Sequence, residues 1–124
     1  MEVPILKQGD HLVACIQSAL TDADLLQFRD NLTQSVRRFR TQGVIIDVTA
    51  MDVMDSFASR TLRGVAHTIR LLGARTVIVG IQPDVAFAMV QLGMTLEGVP
   101  TALDLEEGLV LLGQHAGGSA SRGR

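Results

Sequence analysis

The stretch MDVMDSFASR, residues 51–60, gathers two carboxylates and two hydroxyls at the start of an amphipathic segment. Asp47 stands just upstream, at the end of a β-branched run. Three carboxylates, Asp47, Asp52 and Asp55, at the carboxyl end of a strand could hold magnesium, as in a receiver domain phosphorylated on aspartate. A receiver also needs an acidic pair after its first strand and a lysine after its last. Here the first hairpin carries only Asp10, in a turn, and the sole lysine is Lys7. Asp47 is therefore expected to be a strand-end group that accepts backbone hydrogen bonds.

Ser56 is the second candidate. As a helix N-cap, its oxygen would accept from an N–H two or three residues on, worth about 1 kcal/mol. The same position also welcomes a phosphate, because free N–H groups and the positive end of the helix dipole stabilise an anion there. A protein kinase brings its own base, so none is needed nearby. The two roles are compatible. Ser59, a second hydroxyl one turn along, is expected on the helix surface. No G-x-S-x-G elbow, Gly-rich phosphate loop, His-x-x-x-His or paired-cysteine spacing occurs. His11, His67 and His115 are scattered and are expected to face solvent or the core edge, while Met51 and Met54 fill gaps. No catalytic residue, metal or cofactor is expected.

The elements that must position these groups follow from periodicity. VPILKQGDHLVACI reads as two short strands joined at Gln8-Gly9-Asp10, with Pro4 near the start of the first. Thr21-Asp22 offers a helix cap, and Leu25, Phe28, Leu32, Val36 and Phe39 form one buried face, with Gly43 ending the helix. GVIIDV is a strand covered on both faces. The helix that starts at Asp55-Ser56 has Leu62, Val65, Ala66, Ile69 and Leu72 as its inner stripe, and Gly73 stops it. ARTVIVGI is the next buried strand, PDVAFAMVQLG a helix begun by Pro83, and a short strand is expected near Val99. Asp104 with Glu107 forms a capping box for a last helix. Strands alternating with helices after a hairpin give an α/β fold, a mixed sheet of about five strands flanked by about four helices. One domain, residues 1–115, precedes a tail, residues 116–124, expected to be disordered.

Composition excludes several functions. A formal net charge of -2 provides no basic field for nucleic acid. Trp and Tyr are absent and Phe numbers four, so platforms for stacking bases are lacking. Arg37, Arg38 and Arg40 read as a solvated helix end, favourable to the dipole. The lone Cys15, in LVACI, reads as a structural thiol and suits a reducing compartment. No signal peptide opens the chain, and no apolar run is long enough to span a bilayer, so a soluble cytoplasmic protein without membrane contacts is expected. The 47% of hydrophobic residues, taken with 12 Gly, exceeds the roughly 45–50% apolar share of ordinary domains. That excess suits a partner face or a homodimer.

GVIIDVTAMDVMDSFASR, GIQPDVAFAMVQLGM and TALDLEEGL resemble the STAS domains of anti-sigma-factor antagonists, in particular the RsbS-type scaffolds of the stressosome. The resemblance runs from about Pro4 to Leu112. It implies a STAS fold with helices on one main face of the sheet, and Ser56 as phosphoacceptor for a GHKL-type serine switch kinase (RsbT-like). It also implies assembly with RsbR-like co-antagonists into a large hetero-oligomer that captures the kinase until Ser56 is phosphorylated. Asp52, Asp55 and Phe57 would orient the acceptor or touch the kinase. Many antagonists read Asp-Ser-Ser/Thr-Gly-Leu, whereas Phe57-Ala58 follows here, in keeping with the scaffold branch. A receiver-like aspartate phosphoacceptor and a small-ligand-binding α/β module are the alternatives.

Overall fold

The structure of the protein, a computed structural model, describes residues 2–122, with side chains as far as residue 113. Strands β1 (Ile5–Gln8) and β2 (His11–Cys15) form the expected antiparallel hairpin. β3 (Gly43–Asp47), β4 (Arg75–Val79) and β5 (Thr101–Ala102) then add in parallel, giving the order β1-β2-β3-β4-β5. Helices α1 (Asp22–Phe39), α2 (Ser56–Leu71) and α3 (Pro83–Gln91) connect successive parallel strands, and α4 (Leu105–Arg122) follows the last. Each new strand joins at the same edge and such crossovers are right-handed, which places all three connecting helices on one face. α4, the last element among the described residues, covers the opposite face, against β3, β4 and β5.

The alternation along β3 shows how one apolar run serves both layers. Val44 and Ile46 join the main core with Leu25, Phe28, Leu32 and Val36 of α1 and Leu62, Val65 and Ile69 of α2. Ile45 points the other way, to a smaller core with Val13, Val77, Val79 and Leu112. α4 lies very close to the sheet at Gly108, where an added Cβ would sit 2.7 Å from Val79 Cγ1. Its capping box is shifted by one residue: Asp104 Oδ1 accepts the Glu107 N–H at 2.9 Å, while Glu107 Oε1 reaches back to the Leu103 N–H at 3.1 Å. On α1 the box is regular, Thr21 and Asp24 each accepting the other's N–H at 3.1 Å.

The structure corrects the sequence reading mostly at helix ends. Phe39 and Leu72, expected on buried stripes, are 42% and 43% exposed. Both lie at the C-terminal ends of their helices, and Phe39 carries Lys7 and Arg38 at 5.8 and 5.4 Å from its ring centroid. α1 is capped by Arg40, in the left-handed conformation with φ 50, and Gly43, expected to end the helix, opens β3. β5 forms at Thr101–Ala102, just after the buried Val99. α4 runs to Arg122, past the boundary at residue 115 suggested by composition; Gly123, Arg124 and the His115 side chain lie outside the described residues.

Candidate phosphoacceptor site

The site is built at the carboxyl ends of β3 and β4. Asp47 closes β3 and turns its carboxylate onto the next loop, Oδ1 accepting from the Thr49 N–H at 2.9 Å and Thr49 Oγ1 at 2.6 Å. Gly80, at the end of β4, holds φ 83 and faces Thr49 so closely that a Cβ there would collide with its hydroxyl. Gln82 completes the clamp by donating Nε2 to the Thr49 carbonyl at 2.6 Å. Met51 and Met54 anchor the loop in the core, as expected, leaving Asp52 and Val53 exposed between them.

That anchored loop delivers Asp55 and Ser56 to the start of α2, and here the sequence reading needs two corrections. Asp55, not Ser56, is the N-cap: its backbone is extended and its Oδ1 accepts the Ala58 N–H at 2.8 Å. The carboxylate therefore sets where the helix begins. Ser56 is the first helical residue, and its exposed Oγ donates only to Met94 Sδ at 3.6 Å. Sulfur is a weak acceptor, so the hydroxyl is held loosely. Ser59 is not on the surface: it is 3% exposed and donates its Oγ to the Ser56 carbonyl at 3.2 Å. Its position three residues before Leu62 and seven before Ala66 already put it on the inner stripe. Phe57 is half-buried against the main core.

Asp47 is the strand-end acceptor anticipated from the sequence. Among the described residues, no three His, Cys, Asp or Glu side chains come together as a metal site, and the Asp47, Asp52 and Asp55 trio is dispersed. Cys15 pairs with Asp47 in the β2–β3 register, and burial, then the Asp47 charge, pushes its thiol above the ordinary value. A raised thiol is a poor nucleophile at neutral pH.

Sequence reasoning missed what holds α2 to its neighbour. Ser56, Arg60, Arg63, His67 and Arg70 fall at i, i+4, i+7, i+11 and i+14, one ridge of the helix. The segment between α3 and β5 runs along that ridge. Met94 meets Ser56, the Thr95 carbonyl accepts from Arg63 at 3.4 Å, and the Glu97 carbonyl pairs with His67 Nε2 at 3.2 Å. A carbonyl only accepts, so that nitrogen carries the hydrogen. The helical spacing of the ridge was visible in sequence, but the segment opposite it was not.

The STAS domain family model matches residues 2–108. The chain belongs to the STAS family. Its fold superposes on a serine-to-glutamate variant of Moorella thermoacetica RsbS with a TM-score of 0.81 and 35% identity, over 94% of this chain and 98% of that one. A chain from a structure of the stressosome, a signal integration and transduction hub, matches at 36% identity and TM-score 0.76, over 91% of this chain and 98% of that one. The RsbT co-antagonist protein RsbRA of Bacillus subtilis is 34% identical over 80 residues, 64% of this chain but only 29% of the co-antagonist. This STAS chain thus spans less than a third of that curated relative. No helix among its described residues is long and apolar enough to cross a membrane.

Proposed function

We propose that this STAS chain is a non-enzymatic scaffold of a stressosome-type complex, switched by phosphorylation of Ser56. The observation that carries the reading is the Ser56 hydroxyl, exposed at the first position of α2 with a weak sulfur contact as its partner. An incoming γ-phosphate needs such a reachable hydroxyl and no base from the substrate. The kinase is a GHKL-type serine kinase resembling RsbT, and the co-assembling proteins are RsbR-like co-antagonists. Similarity to RsbS, to a stressosome chain and to an RsbT co-antagonist supports both partners. The RsbS relative carries glutamate in place of a serine, a carboxylate at a former hydroxyl position.

Phosphate adds about -1.5 to -2 charges near neutral pH, as much as the whole chain's formal -2. The Ser56 and Phe57 N–H groups precede the first intrahelical bond, from the Ser59 N–H to the Asp55 carbonyl, at the end of the helix that favours an anion. Arg60, exposed one turn along, adds a cation at i+4. These hold the phosphate in the free protein without refolding it. A partner surface fitted to a hydroxyl meets instead a dianion beside Asp52 and Asp55, and about 1.4 kcal/mol of lost binding already shifts affinity tenfold. The exposed Val53, with Phe87 and Val90 one turn apart on α3, supplies apolar surface for such partners.

The test is incubation with an RsbT-type kinase and ATP, followed by phosphate mapping by mass spectrometry. One phosphate on Ser56 is expected, with Ser56→Ala unmodified, folded and still binding the kinase. Modification confined to any other residue sinks the assignment. The receiver-like alternative is disfavoured because Asp47 Oδ1 is already engaged twice by Thr49.

A further inference from the structure

The Ser56 hydroxyl leans on a residue with chemistry of its own. Met94 lies in the strap that joins α3 to β5, and its Sδ accepts from Ser56 Oγ at 3.6 Å. The backbone fixes its position. α3 closes with Leu92 as C-cap, and Gly93 turns at φ 68. The Gly93 and Met94 N–H groups then bond back to the Val90 and Met89 carbonyls at 3.3 and 2.9 Å. This paired closure around a glycine delivers the next residue to one place, here beside the start of α2.

Met94 also differs from Met51, Met54 and Met89 in being reachable. Those three are 4, 5 and 6% exposed inside the main core. Met94 is half-buried, packed against that core from outside, between the exposed Gly93 and Thr95. With Ile81, Val90 and Leu96 it lines an open groove of about 350 Å³. A water takes about 30 Å³, and hydrogen peroxide is little larger. Oxidation turns a thioether from an apolar group into a polar sulfoxide.

We infer that Met94 is an oxidation site for a hydroperoxide such as hydrogen peroxide, and that its oxidation restrains the Ser56 hydroxyl; the consequence for signalling rests on Ser56 being the phosphoacceptor. A sulfur lone pair attacks one peroxide oxygen, so that an S–O bond forms and the O–O bond breaks. The sulfur gives up two electrons, and the departing hydroxide takes a proton and leaves as water. Methionine sulfoxide reductases, supplied with a thiol reductant, undo the change. The new oxygen is a much stronger acceptor than the sulfur that Ser56 already faces. It is no base, however, and cannot carry the hydroxyl proton away. The kinase must turn that hydrogen back toward its own base before transfer, so oxidation slows phosphorylation.

Brief treatment of the full chain with hydrogen peroxide, removal of the reagent and peptide mapping by mass spectrometry test the site itself. Met94 is expected to gain oxygen about tenfold faster than Met51, Met54 or Met89, because oxidation follows exposure. The Ser56 and Phe57 amide resonances should then be displaced, a readout that needs no kinase. Phosphorylation by an RsbT-type kinase should fall about threefold to tenfold, the worth of one ordinary hydrogen bond. Met94→Gln, with an amide oxygen at similar reach, should be slow without peroxide. Met94→Leu, a swap that cores tolerate, should match the untreated parent and ignore peroxide. Oxidation of the core methionines as fast as Met94, unmoved Ser56 resonances, or an undiminished rate in both the oxidised chain and Met94→Gln would each overturn the inference. If the kinase leaves Ser56 unmodified even in the untreated parent, the phosphoacceptor reading fails instead, and the resonances still decide whether Met94 restrains the hydroxyl.

Discussion

The two ends of α2 solve opposite problems with one helix. At its N-terminus a charged cap and a loop anchored by Met51 and Met54 hold Ser56 out in solvent. At its C-terminus Leu71 and Leu72 stand exposed, while His67 and Arg70 border a cavity. The strap from Met94 to Pro100 touches both ends. The contrast is sharpest between two hydroxyls a single turn apart. Ser56 is exposed and weakly held, whereas Ser59 is sealed under the helix and bonded to the Ser56 carbonyl. A hydroxyl becomes available for group transfer through its place on the helix rather than through its residue type.

Substitutions at three positions can break or sharpen that contrast. Ser59→Asp puts a carboxylate where the serine is 3% exposed. It should cost about 3 kcal/mol in urea unfolding, because a buried charge without a partner is expensive. A loss under about 0.5 kcal/mol, within the range of ordinary surface changes, would mean that Ser59 is accessible after all.

Asp55→Ala removes the cap on Ala58 and should cost about 1 kcal/mol, whereas Asp55→Asn, an equally good cap, should retain nearly all stability. The same pair separates capping from charge. If the asparagine variant is phosphorylated as fast as the parent, Asp55 serves by placing Ser56 rather than by its negative charge. Unchanged stability in the alanine variant would remove Asp55 from the capping role.

Ser56→Glu should have the smallest effect on the free protein. A carboxylate in the first turn gains about 0.3–1 kcal/mol from the helix dipole, set against repulsion from Asp52 and Asp55. The net change in melting temperature should be slight and the amide spectrum nearly unaltered away from α2. Loss of the native spectrum would show that charge at Ser56 acts by unfolding the helix instead of by changing what docks on it.

Much of the fold was legible because its signals are local. The spacing of Leu25, Phe28, Leu32 and Val36 marks a helix with one apolar face, and the structure buries all four. The run from Val44 to Ile46 marks a strand covered on both sides, and it lies in the middle of the sheet. Thr21 as a cap and Pro83 at the start of α3 are likewise where the sequence put them. Helix ends were less legible, since Phe39 and Leu72 keep the apolar period but stand half-exposed at the last turn and cap of their helices.

The candidate site was legible in its residue types and only partly in its arrangement. Asp55-Ser56 at a helix start could be read, but two adjacent capping residues compete for one N-cap. Which of them wins depends on where the loop from β3 seats the helix. The Gln82 clamp on Thr49 and the Met94 contact with Ser56 span 33 and 38 residues, distances over which no periodicity carries information.

By itself, the sequence determined the strands, the helices, the apolar faces and the Asp-Ser pair, because each rests on residues within a few positions of one another. Only the tertiary structure decided that Ser56 faces out and Ser59 faces in, that Asp55 caps the helix, and that Gln82 closes on the Thr49 carbonyl. Those outcomes depend on how segments far apart in the chain pack together, and packing decides which polar atoms keep water and which must find a partner.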